Sequence, residues 1–233
     1  EQNGWQPLSP GMIPFPPKHV VPHALTTTEI DVLVTAFADA ARRARVAGFD
    51  VVELHCAHGY LLHEFLSPLT NRRTDQYGGS LDNRMRLPLE VVRTIRQIWP
   101  AHLPVFVRLS ASDWVDGGWD LPQSIEFSKQ LKLLGVDLVD CSSGGLTADA
   151  KIPAAPGYQV PFAADIRRDA GIATGAVGLI TEAHQAEAIV ANGQADTVLL
   201  ARAMLRDPYW PLHAASTLGV DVPWPNQYLR AKP

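Results

Sequence analysis

Phe49-Asp50-Val51-Val52-Glu53-Leu54 is an apolar run that opens directly onto His55-Cys56-Ala57-His58-Gly59-Tyr60. The first half reads as a buried strand. The second half places two imidazoles and a phenol where that strand gives way to a loop. In a barrel of alternating strands and helices, the C-terminal ends of the strands form the rim on which active sites are built. A period of two sends Glu53 and His55 to one face of the strand, and a turn after His55 can bring His58 beside it. Two imidazoles and a phenol would then converge on one small polar atom.

The same HxxH pair is half of a metal site, with His63 as a third nitrogen. A catalytic zinc centre, however, uses three well-placed protein ligands plus an open position, and nothing elsewhere in the chain completes one, so no metal is expected. A buried histidine satisfied by backbone is the other ordinary reading. It suits either residue alone better than both beside Tyr60.

The pattern around this stretch repeats. Thr26 stands three residues before Glu29, a capping-box signature, and Ile30, Leu33, Val34, Phe37, Ala41 and Ala44 follow at helical spacing until Gly48. Val105 to Leu109 reads as a strand, Asp120 to Leu134 as a helix stopped at Gly135, and Val136 to Cys141 as the next strand. A short helix near Phe162 to Asp169, a strand at Ala173 to Val177, a helix from Thr181 to Asn192 and a strand at Thr197 to Ala201 complete the series. Glu1 to Leu25, with Pro14, Pro16, Pro17 and Pro22, has neither period and reads as a loop or extended wrapping segment; Gly59 to Ser80 and Ser142 to Pro161 read as long loops. Strands separated by helices of this length form a parallel sheet with right-handed crossovers. No GxGxxG turn supports a dinucleotide-binding open sheet, so a (β/α) barrel is favoured.

Five strands are expected, whereas a closed barrel of this kind has about eight in roughly 250 residues. An open five-stranded parallel sheet would leave edges and apolar surface uncovered. The expectation is therefore a single α/β domain over residues 1–233, the C-terminal part, about five strand-helix units, of a (β/α)8 TIM barrel. An N-terminal segment or companion chain would supply the remaining strands.

Composition excludes other classes. With 46% hydrophobic and 19% charged residues among 233, the chain is long enough for one sizeable core. Its formal charge of −4 comes without any basic run, against a nucleic-acid surface, and no apolar stretch reaches membrane-spanning length. Cys56 and Cys141 sit in strand-like contexts rather than a disulfide framework, which fits a reduced, cytoplasmic setting.

The run HCAHGYLLHEFLSPLTNRRTDQYGGSLDNR, His55 to Arg84, resembles the signature loop of the old yellow enzyme family of flavin-dependent ene-reductases, and within it the bacterial, thermophilic-like branch. The resemblance continues through Val107 to Asp113, Asp140 to Gly145, Pro156 to Val160, Ala176 to Ile180 and Ala201 to Ala203, over nearly all of this chain and about two-thirds of a family member. It implies FMN as cofactor, NADPH or NADH as hydride donor and an α,β-unsaturated carbonyl substrate. His55 and His58 match the pair that hydrogen-bonds the substrate carbonyl oxygen, where donors stabilise developing negative charge. Tyr60 matches the position that delivers a proton to the α-carbon; a tyrosine packed on the flavin edge is the structural alternative.

Arg108 matches the arginine beside the pyrimidine end of FMN, where a cation favours the reduced anionic flavin; an ion pair inside the barrel with Glu53 or Asp140 is the alternative. Gly178, Ala201 and Arg202 match the FMN-phosphate cradle, with Ser143 and Gly144 as weaker candidates at the same rim. Arg230, in Gln227-Tyr228-Leu229-Arg230, matches an arginine that enters a neighbouring subunit's site, which implies a homo-oligomer. Arg73, Asp75, Tyr77, Gly78, Gly79, Asn83 and Arg84 carry the recognition but no chemistry; they are expected to brace the long loop, with Ser80 or Asp82 capping the next helix. Trp114 to Trp119 either shapes the substrate entrance or packs. Relatives with an iron–sulfur cluster need a cysteine cluster that this chain lacks. A non-catalytic fragment, or a flavin reductase acting on nitro compounds, are the competing functions.

Overall fold

Thr26 closes the capping box expected of it. Its Oγ1 accepts from the Glu29 N–H at 3.2 Å, and Glu29 Oε2 accepts from the Thr26 N–H at 2.8 Å, starting α1 (Thr27–Val46). The structure, a computed structural model, describes residues 4–15 and 19–232. Pro16 and Pro17 of the proline-rich segment lie outside the described residues. Before α1, that segment is extended and makes one small parallel bridge, β1 (Leu8–Ser9) with β2 (His23–Ala24).

After α1 the chain enters β3 (Val52–Cys56), α2 (Leu61–Leu66) and α3 (Leu81–Ile98). Then follow β4 (Val105–Ser110), α4 (Leu121–Leu133), β5 (Leu138–Ser142), α5 (Val160–Ala170), β6 (Ala173–Ala176), α6 (Ala183–Ala191) and β7 (Thr197–Val198). Helices α7 (Arg202–Arg206) and α8 (Trp210–Thr217) and a 3-10 turn (Asn226–Ala231) end the chain. Side-chain caps set the helix starts: Ser80 Oγ accepts from the Asn83 N–H at 3.3 Å and Asp120 Oδ1 from the Gln123 N–H at 3.0 Å.

The five strands β3 to β7 pair in chain order, every pair parallel. Register divides the sheet into two faces. Leu54, Val107, Val139, and then Cys56, Leu109, Cys141 and Ala176, are aligned partners on the helix-covered face, where all are buried. They pack with Leu87, Val91, Phe127, Leu131, Ala163, Ile166 and Ile189 of the helices. Each fully buried Leu, Ile, Val or Phe there contributes about 1.5–3 kcal/mol. The opposite face carries Glu53, His55, Phe106, Arg108, Leu138, Asp140, Gly175 and Thr197. This is the arc of a (β/α)8 barrel, with its inner face open.

Four expectations need correction. The strand at Phe49 to Leu54 is Val52–Cys56 and is buried on one face only: Phe49 is 62% exposed, and Glu53 and His55 face the open interior. The loop Gly59 to Ser80 contains α2, because Leu62, Phe65 and Leu66 fall at helical spacing and are buried. The last strand is two residues rather than five, since β7 has only Gly175 and Ala176 as ladder partners. Helix α5 starts at Val160 and α6 at Ala183, within three residues of the expected starts.

The family-signature polar residues brace the loop as expected. Arg73 pairs with Asp75 (Nη2 to Oδ2 2.5 Å) and donates to the carbonyls of Pro10 and Leu25. Asn71 Nδ2 donates to the carbonyls of Phe65 and Tyr77, both at 2.7 Å, and Asn83 to that of Gly78 at 2.9 Å. Arg84 is buried, donates to Leu66 O and Gln123 Oε1, and lies over the Trp119 ring. Trp119 is fully buried, its Nε1 donating to Ser124 Oγ, and Trp114 packs edge-on against Phe162.

Candidate active site

Where β3 ends, the backbone turns sharply: His58 is left-handed at φ 59° and Gly59 at φ 73°. That turn brings three rings together. The His55 ring centroid lies 5.2 Å from that of His58 and 5.4 Å from that of Tyr60, whose side chain is exposed. A close backbone contact holds the turn, since a Cβ on Gly145 would stand 2.6 Å from His58 Cα and one on Gly59 would stand 2.3 Å from the Gly145 carbonyl oxygen. Two side chains add to it. Ser110 Oγ accepts from the His58 N–H at 3.0 Å while donating to Gly144 O at 2.9 Å, and Ser142 Oγ lies 2.6 Å from His58 Nε2.

Both imidazoles favour the neutral form. Burial, then the Arg108 charge and the neighbouring rings of His55 and His63, push His58 down to about 4. His55 is lowered by burial first, then by Arg108 and His63. A neutral imidazole carries one N–H donor and one acceptor nitrogen, so at neutral pH the pair offers hydrogen bonds without net charge.

Arg108 is the register partner of His55 on one side and of Asp140 on the other. Its Nε stands 3.2 Å from Asp140 Oδ2, off the line of a good hydrogen bond, and Arg108 Nε and both Asp140 carboxylate oxygens have no hydrogen-bond partner among the described residues. Burial raises Asp140 to about 7, against Arg108, with Glu53 adding to the rise. Glu53 is itself raised by burial against the pull of Arg108.

Beyond Arg108 the rim opens into a cleft of about 300 Å³ walled by Arg108, Ser142, Tyr158, Gln159, the segment 177–181, the segment 199–203 and Arg206. Gly178, at φ 123°, permits a close approach there, because a Cβ would stand 2.9 Å from Gln159 Nε2 and 3.0 Å from the Tyr158 ring. Arg202 and Arg206 are among the wall residues, and a guanidinium suits an anion. The three non-glycine residues with left-handed backbone among those described, His58, Trp114 and Leu179, all follow strand ends at this rim. Such strain costs on the order of 1–3 kcal/mol per residue and clusters at functional sites.

The structure thus unites His55, His58 and Tyr60 at one point, and Arg108, Gly178, Ala201 and Arg202 around one cleft, with Arg108 and Ser142 joining the two. Ser143 and Gly144 are not among the wall residues: the Ser143 hydroxyl donates to Gln159 Oε1 at 2.5 Å, and Gln159 Nε2 in turn donates to Val177 O at 3.0 Å. Arg230 is exposed in the 3-10 turn and does not line the cleft of its own chain. Sequence reasoning gave no role to Ser110, Ser142, Gln159 or Arg206. Ser110, Ser142 and Gln159 stand in the stretches that carry the family resemblance, whereas nothing in the local pattern marks Arg206. Among the described residues, no group of three or more His, Cys, Asp or Glu could hold a metal ion.

These features define the C-terminal rim of a parallel (β/α)-barrel arc bearing an imidazole pair beside an arginine-lined cleft. The profile of the NADH:flavin oxidoreductase / NADH oxidase family matches residues 13–220. The NADPH dehydrogenase of Geobacillus thermodenitrificans is 52% identical over 223 residues, 96% of this chain and 65% of that protein. Among solved structures, a 2-naphthoyl-CoA reductase complex superposes with a TM-score of 0.84 at 28% identity, over 92% of this chain and 33% of that one. Morphinone reductase gives 0.77 at 28% identity, over 97% and 63%. The chain belongs to the NADH:flavin oxidoreductase / NADH oxidase family, that of the old yellow enzymes, and spans about 65% of the length of the curated relatives it matches.

Proposed function

We propose that the assembled protein is an FMN-dependent oxidoreductase that uses NAD(P)H to reduce the activated C=C bond of α,β-unsaturated carbonyl compounds. The observation that carries this reading is the meeting of a neutral imidazole pair with the Arg108 cleft on one rim. The residues present fit a phosphate-bearing flavin: Arg108 Nε is buried with no hydrogen-bond partner among the described residues, and Arg202 and Arg206 stand among the residues that wall the cleft. When bound, FMN supplies the hydride relay between nicotinamide and alkene.

His55 and His58 donate hydrogen bonds to the substrate carbonyl oxygen, stabilising the negative charge that grows there as the β-carbon is attacked. Tyr60 supplies the proton to the α-carbon, a task suited to an exposed phenol beside that pair. Arg108 would set a cation against the bound flavin, where positive charge favours its reduced form, and the Asp140 carboxylate lies 3.2 Å from Arg108 Nε. Gly178, Ala201 and Arg202 grip the phosphate through backbone amides and one side-chain cation. Ser143 supports that grip through Gln159, while Gly144 braces the imidazole turn through Ser110.

The barrel is completed by about three further strand-helix units, and Arg230 enters the site of a second copy in a homo-oligomer. The exposed Phe49, Val51, Val32 and Val46 around β3 and α1 support the first statement. No helix is long and apolar enough to cross a membrane among the described residues. The test is the visible spectrum of the purified protein during anaerobic addition of NADPH and then cyclohexenone. A flavin band that bleaches with NADPH and returns with the enone supports the reading. A protein with bound flavin that NADPH reduces but the enone leaves reduced would overturn the substrate class.

A further inference from the structure

Helix α2 carries one more histidine, and the chemistry above does not use it. His63 is fully buried, as is Asp113 in the loop after β4. His63 Nδ1 accepts from the Gly59 N–H at 2.9 Å. That bond leaves Nδ1 bare, so the ring proton sits on Nε2. Nε2 stands 2.9 Å from Asp113 Oδ1. The approach is off line, yet neither atom has any hydrogen-bond partner among the described residues. The other Asp113 oxygen is committed: Oδ2 accepts from Ser67 Oγ at 2.6 Å and from the Trp119 N–H at 2.7 Å. Asp113 also donates its own N–H to Trp119 O at 2.8 Å. One carboxylate therefore anchors the loop 113–119, the end of α2 and the His63 ring at once.

The atom this assembly holds is the Gly59 amide, in the peptide that joins His58 to Gly59. Both residues are left-handed, and the neighbouring peptide is pinned independently, by Ser110 on the His58 N–H. Two side chains thus fix two successive amides, those of His58 and Gly59, just before Tyr60. A turn held this way gives the His58 ring and the Tyr60 phenol one direction each.

We propose that His63, oriented by Asp113, is a positioning residue for the reaction: it locks the Gly59 amide and thereby aims the His58 donor and the Tyr60 proton at the substrate. The idea rests on the function proposed above. Misplacement of reacting groups by about 1 Å can cost on the order of 100-fold in rate, so a locked turn has kinetic consequence without touching substrate.

The test uses the full-length flavin-loaded protein and the isosteric logic of amides. In His63→Asn the side-chain oxygen replaces Nδ1 and still accepts from Gly59. In His63→Gln the amide nitrogen replaces Nε2 and reaches Asp113 but leaves Gly59 unserved. Steady-state kinetics with cyclohexenone should show His63→Asn within about threefold of the parent, while His63→Gln and His63→Leu lose kcat on the order of 10–100-fold. KM and flavin content should hold. Equal losses in all three variants, or no loss in His63→Gln, would overturn the proposal. If the variants do not fold, NMR of the ring nitrogens in the parent protein decides: a bare Nδ1 coupled to the Gly59 amide sustains it, and a protonated Nδ1 refutes it. A parent that never reduces the enone would refute the functional reading instead, a distinguishable failure.

Discussion

Arg108 Nε and Asp140 Oδ2 stand 3.2 Å apart across the β4–β5 ladder, as register partners on the open face of the arc. The guanidinium is therefore not a free cation: part of its field is answered by a carboxylate that is itself buried. Asp140→Asn removes that answer and leaves more positive potential beside the flavin. The two-electron potential of the bound flavin should rise by on the order of 30 mV, a tenfold change in equilibrium constant. Because burial holds Asp140 at about 7, the difference should be largest above that pH, where the carboxylate is ionised. A redox titration at several pH values reads it; an unchanged or lowered potential would mean that Arg108 does not face the flavin.

Tyr60 is exposed beside His55, their ring centroids 5.4 Å apart. Tyr60→Phe should slow enone turnover on the order of 100-fold, the usual scale for losing a general acid. Bleaching of the flavin by NADPH, which asks no proton of Tyr60, should stay within a few-fold. Stopped-flow measurement of the two half-reactions separates these outcomes.

Arg202 and Ala201 test the phosphate grip by contrast. A charge-assisted hydrogen bond is worth about 1.5–3 kcal/mol, so Arg202→Ala should weaken FMN binding on the order of 10- to 100-fold in a fluorescence titration. Ala201→Gly should change it little, because the contact assigned there is a backbone amide. Equal effects would move the anion away from Arg202.

Gly145 lies at φ 89°, and a Cβ there would stand only 2.6 Å from His58 Cα. Gly145→Ala should destabilise the fold by about 1–3 kcal/mol through overpacking against backbone and lower activity further by tilting the turn. Thermal unfolding together with kcat checks both.

His58 has a folded-state pKa of about 4 against an ordinary 6.5. Between these values the unfolded chain binds a proton that the folded chain refuses, so this residue's share of stability is present above about 6.5 and is lost as pH falls toward about 4. His58→Asn has no such penalty. Its stability relative to the parent should improve steadily across that window, in denaturant titrations at matched pH. A constant difference would show that His58 charges freely in the folded state.

The parallel architecture was legible because its signals are local: Thr26 with Glu29, Asp120 and Gly135 at the two ends of α4, and the apolar runs at β4 and β5 all settle within a few residues of chain. What escaped was set at a distance. The two-residue length of β7 depends on a ladder with β6, and the one-faced burial of β3 depends on its place at the sheet edge. In the site, His55, His58 and Tyr60 fall within six consecutive residues and stay together in space. Ser110 and Ser142 meet the same turn from β4 and β5, and a serine in a strand carries no mark of the hydroxyl's destination. His63 was visible only as a third nitrogen for a metal. Its real partners are a backbone amide and a carboxylate fifty residues on.

The inward row His55, Arg108, Asp140, Gly175, Thr197 comes from strands that are neighbours in space and consecutive in the chain. It is therefore heritable as a single block. A recombination event that exchanged whatever pairs with the free edge of β3 would leave the imidazoles, the arginine and its carboxylate in their mutual geometry, so new substrate contacts could be tried without rebuilding the anion grip.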